Sequence, residues 1–136
     1  MKHVRKAARR NPPGPLTGLW RQYITDPSRI DVIRCKQNGK IVKAKIKRIE
    51  PPPKPGKPPK EWDFQGLCMD DFLFGTYCTT DEINNSGSYG TIQLFKQSHN
   101  EWAGFYVRLE ITVDKRIIKK EEGLAEPKTT WVRQPK

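Results

Sequence analysis

From residue 40 the chain runs KIVKAKIKRI, with Val42, Ala44 and Ile46 alternating against Lys43, Lys45 and Lys47. Apolar and charged positions that recur every second residue occupy opposite faces of an extended chain, the mark of a half-buried strand. The segment Arg29–Gln37 precedes it, with Ile30, Val32 and Ile33, and Asn38-Gly39 joins the two. Both residues of an Asn-Gly pair tolerate the positive φ of a tight hairpin turn, so a β-hairpin is predicted here. Further strand-like segments follow at similar spacing. Leu19–Thr25 is first; Trp62–Met69, Phe72–Thr79, Tyr89–Lys96 and Trp102–Ile111 come later, before a final pair at Arg116–Lys120 and Thr130–Arg133. Turn chemistry separates them at Asp70-Asp71, Asn84–Gly87, Ser98–Asn100 and Glu122-Gly123. No stretch sustains a helical period, and the regular turns predict an all-β fold.

Two stretches lack this pattern. Residues 1–15, MKHVRKAARRNPPGP, are basic and then broken by prolines. A helix this short is marginal in water, so the segment reads as a flexible basic arm. Residues 51–60, PPPKPGKPPK, hold six prolines in ten positions. Proline cannot donate to a sheet ladder, which makes this a stiff loop between strands, with a composition that also suits docking on a partner. The division expected is an arm over 1–15 and one barrel domain over 16–136 that carries the proline-rich loop.

Glycine precedes an aromatic by two residues at Gly18 and Trp20, Gly75 and Tyr77, and Gly104 and Tyr106. Glycine inside a strand marks a bend or a close backbone approach, and a nearby aromatic can cover the gap. Such bends are what strongly coiled strands of a small closed barrel require. The expected architecture is a single antiparallel up-and-down barrel of about eight strands.

These residues also carry a resemblance. Leu-Thr-Gly-Leu-Trp (16–20), Phe-Gly-Thr-Tyr (74–77), Tyr-Gly-Thr-Ile-Gln-Leu (89–94), Trp-Ala-Gly-Phe-Tyr-Val (102–107) and Trp-Val-Arg (131–133) resemble the strands of lipocalin-like and avidin-like barrels. The pattern is similar, too, to the cyclic-nucleotide-sensing barrels of bacterial anti-phage signalling, which normally follow membrane helices. The longer Gly-x-Trp context of lipocalins and the biotin-ligand pattern of avidins are missing. The resemblance spans about residues 16–133, implies a mouth able to hold a small molecule, and carries over no catalytic residue.

Charge sharpens the picture because it is segregated. Residues 1–60 hold seventeen Lys or Arg against three acids, a net +14, residues 61–110 carry −6 and residues 111–136 carry +3. A basic half joined to an acidic half implies an oriented field and an anionic partner. No apolar run reaches the length of a membrane span, and the N-terminus lacks the apolar core of a signal peptide. Cys35, Cys68 and Cys78 form no close pair, so reduced thiols in the cytoplasm are the expectation.

Catalytic signatures are lacking. There is no phosphate-binding glycine loop and no spaced Cys/His set, so neither a metal nor another cofactor is expected. His3 and His99 fall in the arm and a turn, and the acidic pairs Asp70-Asp71 and Asp81-Glu82 fall where turns are expected. The residues point to binding rather than catalysis, in one of two ways. In the first, a small anionic ligand, nucleotide-like, sits in the barrel mouth of a sensor or carrier, with Trp20, Tyr77, Tyr106 and Arg108 as its site. Arg108 shares a strand face with Trp102, Gly104 and Tyr106, and the expectation is that this face lines an open cup. In the second, the basic arm and the 29–60 hairpin and loop hold nucleic acid through its phosphates, using Arg34, Lys36, Lys43, Lys45, Lys47, Lys54 and Lys57. Lysines about 7 Å apart along one strand face match phosphate spacing, although a solvated outer face is the plain alternative. Oligomeric state is not legible.

Overall fold

The computed structural model of the chain describes residues 14–25, 28–79, 87–111, 117–122 and 129–135. Nine strands follow in order: β1 (Gly18–Ile24), β2 (Arg29–Asn38), β3 (Ile41–Glu50), β4 (Glu61–Met69), β5 (Phe72–Thr79), β6 (Gly87–Ser98), β7 (Glu101–Ile111), β8 (Ile117–Glu122) and β9 (Thr129–Arg133). Each of β1 to β7 pairs antiparallel with the next, and β9 pairs with both β1 and β7. The sheet therefore closes into an eight-strand up-and-down barrel. Among the described residues no helix is long and apolar enough to cross a membrane.

The closing seam is unusual in one respect. The two C-terminal strands do not pair with each other; both lie along the free edge of β7. β9 takes Glu101–Gly104, and β8 takes Val107–Ile111. At one end of the barrel the connections are tight, through Gly39-Lys40, Asp70-Asp71 and His99-Asn100. The proline-rich loop lies at the other end, where Lys54 and Lys57 close a turn within it. Residues 26–27 and 80–86, the latter including Asp81-Glu82, fall outside the described residues.

Alternation sorts the side chains as the pattern requires. Val42, Ala44 and Ile46 point inward, while Lys43, Lys45 and Lys47 are exposed. The tight-turn half of the interior is filled by Leu16, Trp20, Phe64, Leu94, Trp102 and Trp131, each at most 2% exposed. Trp131 packs edge-on to Phe64 with centroids 5.8 Å apart, and lies 6.3 Å from Trp20. Gly14 and Pro15, placed by sequence in the arm, form a turn at the plugged end. Their turn donates from Thr17 N to Gly14 O, and Arg133 reaches Pro15 O. Leu16 follows with no exposure; residues 1–13 lie outside the described residues.

Gly66 and Gly75 face each other across β4 and β5. A Cβ on Gly75 would lie 2.5 Å from both Gln65 O and Phe64 Cζ, so the Phe64 ring rests directly over this pair. The missing side chains let the strands bend inward, and the ring fills the space they leave. Replacing Phe64 with alanine removes that filler and should cost about 3–5 kcal/mol of stability in denaturant unfolding. A loss below ~1 kcal/mol would show that the ring does not support the bend.

Candidate ligand site at the barrel mouth

Above the tryptophan plug the barrel is not filled. A cavity of about 270 Å³ opens at the proline-loop end, lined by residues from all eight barrel strands and by Pro51 and Lys60 at the ends of that loop. Its floor is polar. Asp31 on β2 has no exposure, and it sits opposite Arg48 on β3 just beyond a register shift at Ile30/Asp31. Arg48 Nε donates to Asp31 Oδ1 at 2.6 Å, and Gln22 Nε2 donates to Asp31 Oδ2 at 2.7 Å. Trp131 Nε1 donates in turn to Gln22 Oε1 at 2.8 Å. The chain of bonds links the plug to the cup and satisfies both carboxylate oxygens. The Arg48 guanidinium also lies over the Trp62 ring, 4.9 Å from its centroid.

The walls add cations and donors. Arg29, Arg48, Lys60 and Arg108 all line the cavity, against the single carboxylate of Asp31. Trp62 Nε1 and Thr129 Oγ1 are buried without a hydrogen-bond partner, and both residues line the same space. Buried donors without partners are costly, so a pair of them around one cavity calls for an acceptor in it.

The structure brings together three of the four residues expected to form a ligand site. Trp102, Gly104, Tyr106 and Arg108 form the inward face of β7, and Tyr77, Tyr106 and Arg108 line the cavity. Tyr77 crosses β6 above Gly90, placing its Oη 3.5 Å from Val107 O; a Cβ on Gly90 would sit 2.6 Å from that Oη. Backbone pairing sets Glu121 of β8 opposite Arg108. Trp20 lies elsewhere. It is at the plugged end, with Nε1 donating to Leu16 O at 2.9 Å and Arg133 stacked 4.3 Å over its ring. The early Gly-x-Trp position is a plug residue because β1 enters the barrel from its closed end.

Sequence reasoning missed Trp62, Asp31 and Arg48. The signal was available. Arg48 continues the inward set of Val42, Ala44 and Ile46, and Asp31 the set of Ile33 and Cys35. A charge on a core face has to be paired or functional.

The residues expected to contact nucleic acid in the alternative reading form a separate surface. Arg34, Lys36, Lys43, Lys45 and Lys47 are exposed on the outside of β2 and β3, and Lys54 and Lys57 on the proline loop. A shallow groove over β1–β4 is lined by Arg34, Lys36, Lys43, Lys45 and Asp63. Lys45 bonds to Asp63, which raises the pKa of its ammonium.

Among the described residues no three of His, Cys, Asp and Glu gather as a metal site would need. Burial pushes the Cys35 thiol up to about 12 and raises that of Cys68, and protonated thiols are poor nucleophiles. Cys78 is half-buried on the outer face. His99 is exposed. Comparisons of the chain with protein-family models, curated proteins and solved structures find no match.

The Asp31–Arg48 pair makes a direct prediction. Asp31→Ala leaves a half-buried guanidinium without its carboxylate and should cost about 3–5 kcal/mol. Asp31→Ala with Arg48→Met should regain most of that in urea unfolding. A double variant no more stable than Asp31→Ala would show that the charge of Arg48 is not what suffers.

Proposed function

We propose that the protein is a non-enzymatic binding or sensor barrel that holds a small anionic, nucleotide-like ligand in its mouth. The observation that carries this reading is the coincidence of four cations with two partnerless buried donors around one cavity. The cations favour an anion, and the guanidinium fork of Arg108 suits a phosphate or carboxylate. Trp62 Nε1 can only donate, so the ligand offers it an acceptor. Tyr77, Tyr106 and Trp62 supply aromatic surface for a planar ring. A volume at the small end of ligand sites favours one ring with one anionic group over a dinucleotide. The closed barrel with a cup at one end is also the feature held in common with lipocalin-like and avidin-like barrels.

A mononucleotide panel titrated against the protein, followed by Trp62 fluorescence and calorimetry, tests the reading. Arg108→Ala should weaken binding at least about tenfold and leave the melting temperature unchanged. Absence of binding by the wild type would overturn the reading for nucleotides.

The outer basic face supports a second reading, phosphate-contact binding of nucleic acid. Arg34 stands directly opposite Lys45, and Lys36 opposite Lys43. Like charges facing each other across strands repel, and a polyanion along the groove relieves that repulsion. Such binding weakens steeply with salt, whereas an enclosed site is far less sensitive. Lys36→Glu with Lys43→Glu should therefore reduce the slope of log K against log salt for single-stranded DNA by roughly 2. An unchanged slope would remove this face from the contact.

A further inference from the structure

The outer wall of the barrel changes character beside the lysines. Ile41 on β3 pairs with Leu67 on β4, and Leu67 with Phe74 on β5. Met69 pairs with Phe72, and Phe72 with Phe95 on β6. The two rows lie side by side on the plugged half of the barrel. Ile41, Leu67, Met69, Phe74 and Phe95 are between 44% and 53% exposed. The rings already associate, with Phe72 and Phe95 centroids 4.8 Å apart and Phe72 stacked on Phe74 at 6.4 Å. Five large apolar side chains, each about half exposed, with the less exposed Phe72 between them, make a patch on the order of 500 Å². That is the upper range for the surface of a monomer and the size that marks an interaction site.

We propose that two copies of the chain associate through this face as an isologous dimer. The area suits it. An apolar centre on the order of 500 Å² supplies more than half of the roughly 800 Å² per partner that a stable interface buries, and the polar rim around it adds to that. The rim carries both signs, with Lys40 and Lys96 on adjoining turns and strands and Asp70 and Asp71 in the β4–β5 turn. In a two-fold contact the same patch meets itself, so a rim of mixed sign can pair with its own copy. The two aspartates count against an anionic lipid surface, which would repel them. The basic N-terminal segment is poorly matched as a cover, since its first thirteen residues hold five Lys or Arg and only a few small or aliphatic side chains. The cup opens at the opposite end of the barrel and stays clear of the contact.

Sedimentation equilibrium on the full chain at tens of micromolar should give twice the mass of one chain. Phe74→Glu enters an isologous contact twice, and should raise the dimer dissociation constant at least about tenfold without lowering the melting temperature of the monomer, measured below the wild-type dissociation constant. Phe95→Glu, on the neighbouring strand, should do the same. A measurement free of substitutions is the peroxide oxidation rate of Met69, which should fall as protein concentration rises through the dissociation constant. A wild type that stays monomeric overturns the proposal. So does a dimer that both charge variants leave intact, or a Met69 rate independent of concentration. A monomer that floats with phosphatidylserine vesicles would assign the face to a lipid surface, and one that dimerises only after removal of residues 1–13 would assign it to that segment.

Discussion

The buried carboxylate of Asp31 is the constraint around which the interior is arranged. A charge with no exposure is tolerated only where counter-charge and hydrogen bonds replace its lost water. Arg48 supplies the charge from the adjacent strand, and Gln22 supplies a donor from the strand on the other side. Gln22 is held in turn by Trp131, the tryptophan at the centre of the plug. Three neighbouring strands and the closing strand β9 are thus tied at one level of the barrel. Below that level the space is filled with tryptophan and aliphatic side chains; above it the walls become cationic and the interior opens. The network is the floor of the cup, and it holds Arg48 and, through the stacked guanidinium, Trp62 in their places.

This arrangement explains how one small barrel presents two basic surfaces of different kind. The outer lysines of β3 are exposed, and each contributes little to stability in water. The inner cations line a cavity whose aromatic walls exclude part of the solvent, so an anion placed among them is attracted more strongly than on the outside. Separating the two is only the alternation of the strand. Lys47 points out and Arg48 points in, one residue apart. The apolar patch makes a third surface on the wall of β3 to β6, away from the mouth. The proposed ligand site and the proposed self-association face would therefore not compete.

The strand order, the alternation of faces and the Asn-Gly hairpin were legible in the sequence because they are local. Period-2 patterning and turn chemistry depend on a few neighbouring residues, and all nine strand segments could be read from them. Arg108 could likewise be placed on one face with Trp102, Gly104 and Tyr106, since that needs only counting. Which face was the interior, and whether the interior was full, could not be counted. Both depend on the summed volume of side chains contributed by strands far apart in the chain. Trp20 and Trp62 look equivalent in sequence, yet one is sealed in the plug and the other lines the cup. The difference is set by how far along the barrel axis each strand carries its residue before the walls meet. The pairing of Asp31 with Arg48, and the splitting of the β7 edge between β8 and β9, were decided in the same way. They follow from barrel closure, which brings together groups that no local pattern connects.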